Sequence, residues 1–213
     1  MKATWAALLS ISACAPIRAE VGSGFPPDAS ELDAASPCDA RAALRLYHWN
    51  AHPEGTTNGI DFLVKVENTA ALPLALSALE IRYYFTNELA PPTVATVYYS
   101  DTCCSNKIMF NDQVVASLVM TPGKPKADSY LSIAFDPTLG DLAPADAVQV
   151  ELGFHDPQFA RDFTQTNDYS FVPSATATQT EWDTCPGPQC PSRLTTCTIT
   201  VHQNDALVWG LPP

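Results

Sequence analysis

Residues 60–67 read IDFLVKVE, and the fold follows from that stretch. Ile60, Phe62, Val64 and Val66 recur at every second position, with Asp61, Lys65 and Glu67 between them. This is the period of a strand with one face in a core and the other in water. Residues 79–86, LEIRYYFT, repeat it: Leu79, Ile81, Tyr83 and Phe85 oppose Glu80, Arg82, Tyr84 and Thr86. Outward from these two, short β-branched or aromatic runs cover 43–49, 94–99, 114–120, 129–135, 147–154, 196–202 and 206–209. Together the nine runs, with no helical segment between them, predict an all-β sandwich or barrel. Asn204-Asp205 is a turn pair suited to a hairpin between the last two.

The chain has 213 residues, 46% of them hydrophobic, enough to bury a substantial core. Eleven basic residues against 23 acidic ones give a charge of -12, and the basic ones are scattered, which argues against a nucleic-acid partner. Past the first 15 residues no apolar run approaches the roughly 20 needed to cross a bilayer, so membrane contact is expected only through a lipid anchor. Met1-Lys2 followed by small apolar residues has the layout of a secretory signal over residues 1–14. Its end, Ile11-Ser12-Ala13-Cys14, resembles a bacterial lipobox with Cys14 as the lipidated residue, while Ala13-Cys14-Ala15 also reads as an ordinary A-x-A cleavage site. Residues 15–41, rich in Ala, Pro, Ser, Gly and acidic side chains, read as a disordered tether, and 42–213 as the folded module.

Without Cys14, six cysteines remain: Cys38, Cys103, Cys104, Cys185, Cys190 and Cys197. An even set in an exported chain suits three disulfides, and the spacings do not match paired zinc ligands. Adjacent Cys103 and Cys104 are expected to reach different partners. Four histidines carry no H-x-x-x-H or H-E-x-x-H spacing, and no G-x-S-x-G elbow occurs. The 23 acidic residues allow a chance glycosidase pair but none can be singled out. The stretch from Phe163 to Ser170, FTQTNDYS, packs hydroxyl, amide and carboxylate oxygens together, a ligand set suited to calcium and equally a turn feeding the next strand.

Several stretches, in order, resemble the family 3 carbohydrate-binding module of scaffoldins and cellulases. They are Thr57-Asn58-Gly59-Ile60, VKVENT (64–69), LEIRYYFT (79–86), ADSYLSI (127–133) and Leu142-Ala143-Pro144. Then come Asn167-Asp168-Tyr169-Ser170, Glu181-Trp182-Asp183 and Ala206-Leu207-Val208-Trp209-Gly210. The resemblance runs from about Leu44 to Pro213 and implies a nine-stranded antiparallel jelly-roll β-sandwich. It implies a structural Ca2+ held by Thr86, Glu88, Thr164, Asn167 and Asp168, with Glu88 standing where the family usually has Asp. It also implies a flat cellulose-binding strip. Tyr98, Tyr99, Asp101 and Phe159 match or stand near its members, but Thr102 replaces the family's His and Gly153 falls on its Arg position. On the opposite sheet Arg82, Tyr84, Tyr130 and Tyr169 match a shallow groove able to take a glycan chain or a peptide linker. These tyrosines could equally be packing residues, and Trp182 and Trp209 are expected in the core.

The expected function is non-catalytic binding of cellulose or a related β-glucan by an exported monomer. The protein would be either anchored at the cell surface through lipid or secreted. The chain ends at Pro213, just past the module, so any partner glycoside hydrolase is expected on a separate chain. The alternative is a surface structural or protein-interaction jelly-roll that has lost polysaccharide binding.

Overall fold

The computed structural model describes residues 38, 43–88, 93–103, 107–186 and 190–213. The signal and lipobox readings, Cys14, Cys104 and all of the 15–41 tether except Cys38 lie outside the described residues. In chain order the strands are β1 (Leu44–Asn50), β2 (Thr56–Thr57), β3 (Gly59–Asn68), β4 (Leu74–Ala75), β5 (Leu79–Phe85), β6 (Val94–Cys103) and β7 (Val114–Met120). They continue with β8 (Ser129–Phe135), β9 (Asp141–Leu142), β10 (Ala147–His155), β11 (Phe163–Thr164), β12 (Thr200–Gln203) and β13 (Ala206–Trp209).

Two antiparallel sheets face each other, one of four strands ordered β1-β3-β10-β6 and one of five ordered β13-β12-β5-β8-β7. Between them lie the side chains that the alternation pointed inward: Ile60, Phe62, Val64 and Val66 from β3 meet Leu79, Ile81, Tyr83 and Phe85 from β5, all buried. Phe62 stacks on Tyr83 with ring centroids 4.4 Å apart, and Phe85 lies 4.2 Å from Phe154. Asn204 and Asp205 both take positive φ, 49° and 65°, which is the backbone of a tight β12–β13 hairpin. The two-residue strands β2, β4, β9 and β11 form two small ribbons that are too short to show a period in the sequence.

Two expectations are corrected. A helix does occur, α1 (Gln179–Thr184), set by a capping box in which Thr178 and Glu181 exchange side-chain and backbone bonds. Lys65, expected in water, is 1% exposed: its Nζ donates to the carbonyls of Trp182 and Cys185 at 2.8 and 2.6 Å and sits 4.5 Å from the Trp182 ring centroid. The cause of both is a second apolar cluster of Tyr47, Trp182, Cys185 and Leu194, which covers one end of the outer face of the four-stranded sheet. The expected disulfides are present in part among the described residues. Cys38 pairs with Cys197 and Cys185 with Cys190, and Cys103 is also disulfide-bonded. The Cys38–Cys197 bridge joins the end of the expected tether to the core, where Cys38 is 2% exposed.

His48 is a costly residue to bury between the sheets. It is fully buried against Phe62 and Tyr83, neither ring nitrogen has a partner, and burial pushes its pKa down to about 3. A histidine that is neutral when folded and protonates near 6.5 when unfolded binds more protons in the unfolded state, so its contribution to stability falls as pH drops from about 6.5 towards 3. His48→Phe is expected to raise stability by about 1 kcal/mol at neutral pH, net of repacking. It should also flatten the acid limb of the Tm-against-pH curve, and an unchanged acid limb would assign the acid sensitivity to other groups.

Candidate functional site

On the outer face of the four-stranded sheet, register sets the neighbours. Asp61 of β3 pairs with Gly153 of β10, which pairs with Thr96 of β6, and one row along Leu63, Glu151 and Tyr99 are aligned. A register shift opposite Glu151/Leu152 leaves Tyr98 as the extra residue of a bulge. The bulge turns the Tyr98 side chain outward, and its hydroxyl donates to Asp61 Oδ1 at 3.0 Å. Asp61 Oδ2 lies 3.3 Å from His52 Nε2, and His52 Nδ1 lies 3.8 Å from Glu54. Burial, reinforced by Asp61, lifts the Tyr98 phenol to about 12, so it stays a neutral donor.

Gly153 makes this arrangement possible. A Cβ there would collide with the Asp61 carboxylate and stand 2.8 Å from the Ile60 carbonyl oxygen, so the position that the family resemblance gave to an arginine admits no side chain. Gly153→Ala is expected to cost about 1–3 kcal/mol by overpacking, read as a shifted midpoint in a urea melt. A midpoint unchanged from wild type would show that Asp61 moves aside freely.

Phe159 lies at the end of the same face. Its ring stacks on His155 at 3.8 Å with the planes 16° apart, and it remains 47% exposed. Its φ of 52° is left-handed, a conformation costing a non-glycine residue roughly 1–2 kcal/mol. The loop is held by Asp156, whose carboxylate accepts from the Ala160 N–H at 3.0 Å and from Arg161 at 2.8 Å. Of the four residues expected on the strip, Tyr98 (41% exposed) and Phe159 are presented to solvent. Asp101 is not: it is fully buried and accepts from the Tyr99 hydroxyl at 2.6 Å, which raises the Tyr99 phenol to about 12. Its role is to hold Tyr99. Sequence reasoning missed His52, Asp61 and His155. Alternation had already put Asp61 outward, but nothing local places it beside His52.

On the five-stranded sheet the other expected surface is a groove of about 180 Å³ lined by Arg82, Tyr84, Tyr130, Thr121, Lys124 and the chain's own Pro212 and Pro213. Arg82 pairs with Glu80 at 2.5 Å and lies over the Tyr130 ring at 5.0 Å. Tyr84 is only 5% exposed and its hydroxyl bonds Thr200 Oγ1 at 3.0 Å, so it serves chiefly as packing. Tyr169 lies edge-on to Tyr84 and donates to the Leu211 carbonyl at 3.0 Å.

The two loops expected to share an ion do meet. The Thr86 N–H donates to Asp168 Oδ1 at 2.7 Å and its hydroxyl to the Asn167 carbonyl at 3.1 Å. Glu88 accepts from the Thr164 N–H at 2.8 Å and from Asn167 Nδ2 at 2.6 Å. Asn167 Oδ1 and Asp168 Oδ2 are buried with no partner. Burial, with the nearby Glu88 and Asp128 carboxylates adding to it, drives Asp168 up to about 8. Among the described residues no three His, Cys, Asp or Glu side chains form a metal cage alone. A cation here would rely on amide and hydroxyl oxygens as well as carboxylate, and the two orphaned oxygens are of the type that hard cations take.

Comparison with known proteins gives the lineage. The model of the family described as "Cellulose binding domain" matches residues 46–210. The cellulosomal-scaffolding protein A of Acetivibrio thermocellus is 31% identical over 173 residues, 80% of this chain and 8% of that protein. Endoglucanase 5 of Pectobacterium carotovorum is 27% identical over 79% of this chain and 29% of that protein. The chain thus spans under a third of either relative. The solved family 3a module with flanking linkers from the cellulosomal scaffoldin of Clostridium thermocellum superposes with a TM-score of 0.67 at 29% identity, covering 80% of this chain and 91% of that one. A jelly-roll sandwich and a match over most of the chain agree, and the chain belongs to the family 3 cellulose binding domains, which are non-catalytic carbohydrate-binding modules.

Proposed function

We propose that the outer face of the four-stranded sheet binds cellulose or a related β-glucan, with no bond made or broken. The carrying observation is the pair of exposed rings on this face: Phe159, stacked on the buried His155, and Tyr98, tied through Asp61 to His52. Ring faces stack on the apolar faces of glucose units, and Asp61 and His52 offer an acceptor and a donor to sugar hydroxyls. The left-handed backbone at Phe159 supports this reading, since strain kept at an exposed aromatic is repaid where the ring is used. Cellulose and xylan pull-downs of the full chain test it. Adsorption to microcrystalline or amorphous cellulose is expected, and binding to no polysaccharide by a cooperatively melting protein would favour the structural alternative.

The groove on the opposite sheet is the weaker candidate for a glycan, because Pro212 and Pro213 line it and Tyr169 is engaged with Leu211. For the ion site we propose structural calcium held by Thr86, Thr164, Asn167, Asp168 and Glu88. Bound there, it would supply a positive charge that keeps Asp168 ionised and pins the loop after β5 to the loop after β11. Export to the cell exterior, anchorage through Cys14 and delivery of separate hydrolases to polysaccharide complete the reading. The relatives, a cellulosomal-scaffolding protein and an endoglucanase, support the pairing with hydrolases.

A further inference from the structure

Next to the proposed glucan strip the same sheet face carries a cavity of about 330 Å³, lined by Lys65, Lys107, Gln149, Asp183, Cys103 and Pro186. The chain has five lysines against its 23 acidic residues, and two of the five meet here. Lys65 and Gln149 form the cross-strand row immediately beyond Leu63 and Glu151, which are aligned with Tyr99. The offset is two residues, about 6.8 Å along the strand. A polysaccharide chain that runs along the strands over Tyr98 and Tyr99 would set a neighbouring sugar above this cavity.

We propose that the cavity is a subsite for the carboxylate of an acidic sugar, a uronic acid carried on or within the bound glucan or xylan. The lining brings two ammonium groups together with the carboxylate of Asp183, and Asp101 stands in the same cross-strand row as Lys65 and Gln149. Lys65 spends two N–H donors on the Trp182 and Cys185 carbonyls, which fixes its Nζ in place and leaves a third N–H for a ligand. Gln149 supplies an amide for the sugar hydroxyls. Asp183 and Asp101 are the carboxylates that act on Lys65, and Lys107 is the opposing cation. Burial holds the Lys65 ammonium down at about 8 although both carboxylates act to raise it, and a ligand carboxylate would act in the same sense as they do. Volume also fits, at the lower end of the range for small-ligand sites of about 300–1,000 Å³.

The proposal rests on the strip reading for its polymer arm and stands alone in its monomer arm. In the first, adsorption isotherms compare cellulose with cellulose oxidised at C6 to the carboxylate. Wild-type protein is expected to hold the oxidised surface about fivefold more tightly, with the preference eroded in 0.5 M salt. Lys107→Glu, at an exposed position, is expected to lose that preference and keep its affinity for neutral cellulose. Equal affinity for both surfaces, or a preference that survives Lys107→Glu, overturns the proposal. In the second arm, sodium glucuronate and neutral glucose are titrated into the full chain and followed by NMR. Shifts at Lys107 and Gln149 with glucuronate alone support the subsite even if no cellulose adsorbs, in which case only the strip reading fails. Absence of those shifts at saturating glucuronate removes the subsite whatever the cellulose result.

Discussion

A protein carrying both Tyr98→Ala and Phe159→Ala should adsorb to cellulose about thirtyfold less tightly than wild type. Each exposed ring is worth roughly 1 kcal/mol in stacking, and about 2 kcal/mol together corresponds to that factor. Both side chains are substantially exposed, at 41% and 47%, so their truncation leaves the interior of the sandwich untouched and the melting curve close to wild type. Tyr98→Phe separates the two roles of that residue. It keeps the ring and removes the hydroxyl that donates to Asp61, so it should lose only a few-fold. Tyr130→Ala, on the opposite sheet, should adsorb like wild type. Undiminished adsorption by the double variant would move binding off this face, and a loss in Tyr130→Ala would place it in the groove.

Removing calcium should lower the Tm by about 5–11 °C when the free ion had stood roughly 100-fold above its dissociation constant, a difference of about 2.7 kcal/mol for a domain of this size. Asn167 Oδ1 and Asp168 Oδ2 are the reason: they are buried without a hydrogen-bond partner among the described residues, and the Glu88 and Asp128 carboxylates act on Asp168. Asp168→Ala should melt near the calcium-free wild type and should no longer respond to chelator. A chelator-insensitive wild-type melt, together with no calcium on elemental analysis, would refute the ion and leave the two loops held by their direct hydrogen bonds.

Much of the sandwich was legible before any coordinates, because strands that face a core on one side carry that fact as a period of two. Ile60 to Val66 and Leu79 to Phe85 are buried as the alternation required. The turn at Asn204-Asp205 was legible too, since few side chains tolerate two consecutive positive φ values. Lys65 was misread because the period reports only which side of the sheet a residue is on. It does not report whether a later segment, here 182–185, returns 117 or more residues downstream to cover that side. The helix 179–184 was missed although Thr178 and Glu181 carry the capping-box signature, since six residues are too few to show a helical period.

The functional face divides in the same way. Sequence alone determined the sheet-forming alternation, the stock of aromatic side chains and the outward direction of Asp61, all of which depend on residues within a few positions of one another. Only the tertiary structure decided that Asp61 meets His52 and Tyr98, that Asp101 is buried on the outer face and holds Tyr99, and that Gly153 must stay bare. Each of those outcomes depends on strand register and on one bulge in β6, and register is set by the summed burial of whole strands, which no single stretch of chain encodes.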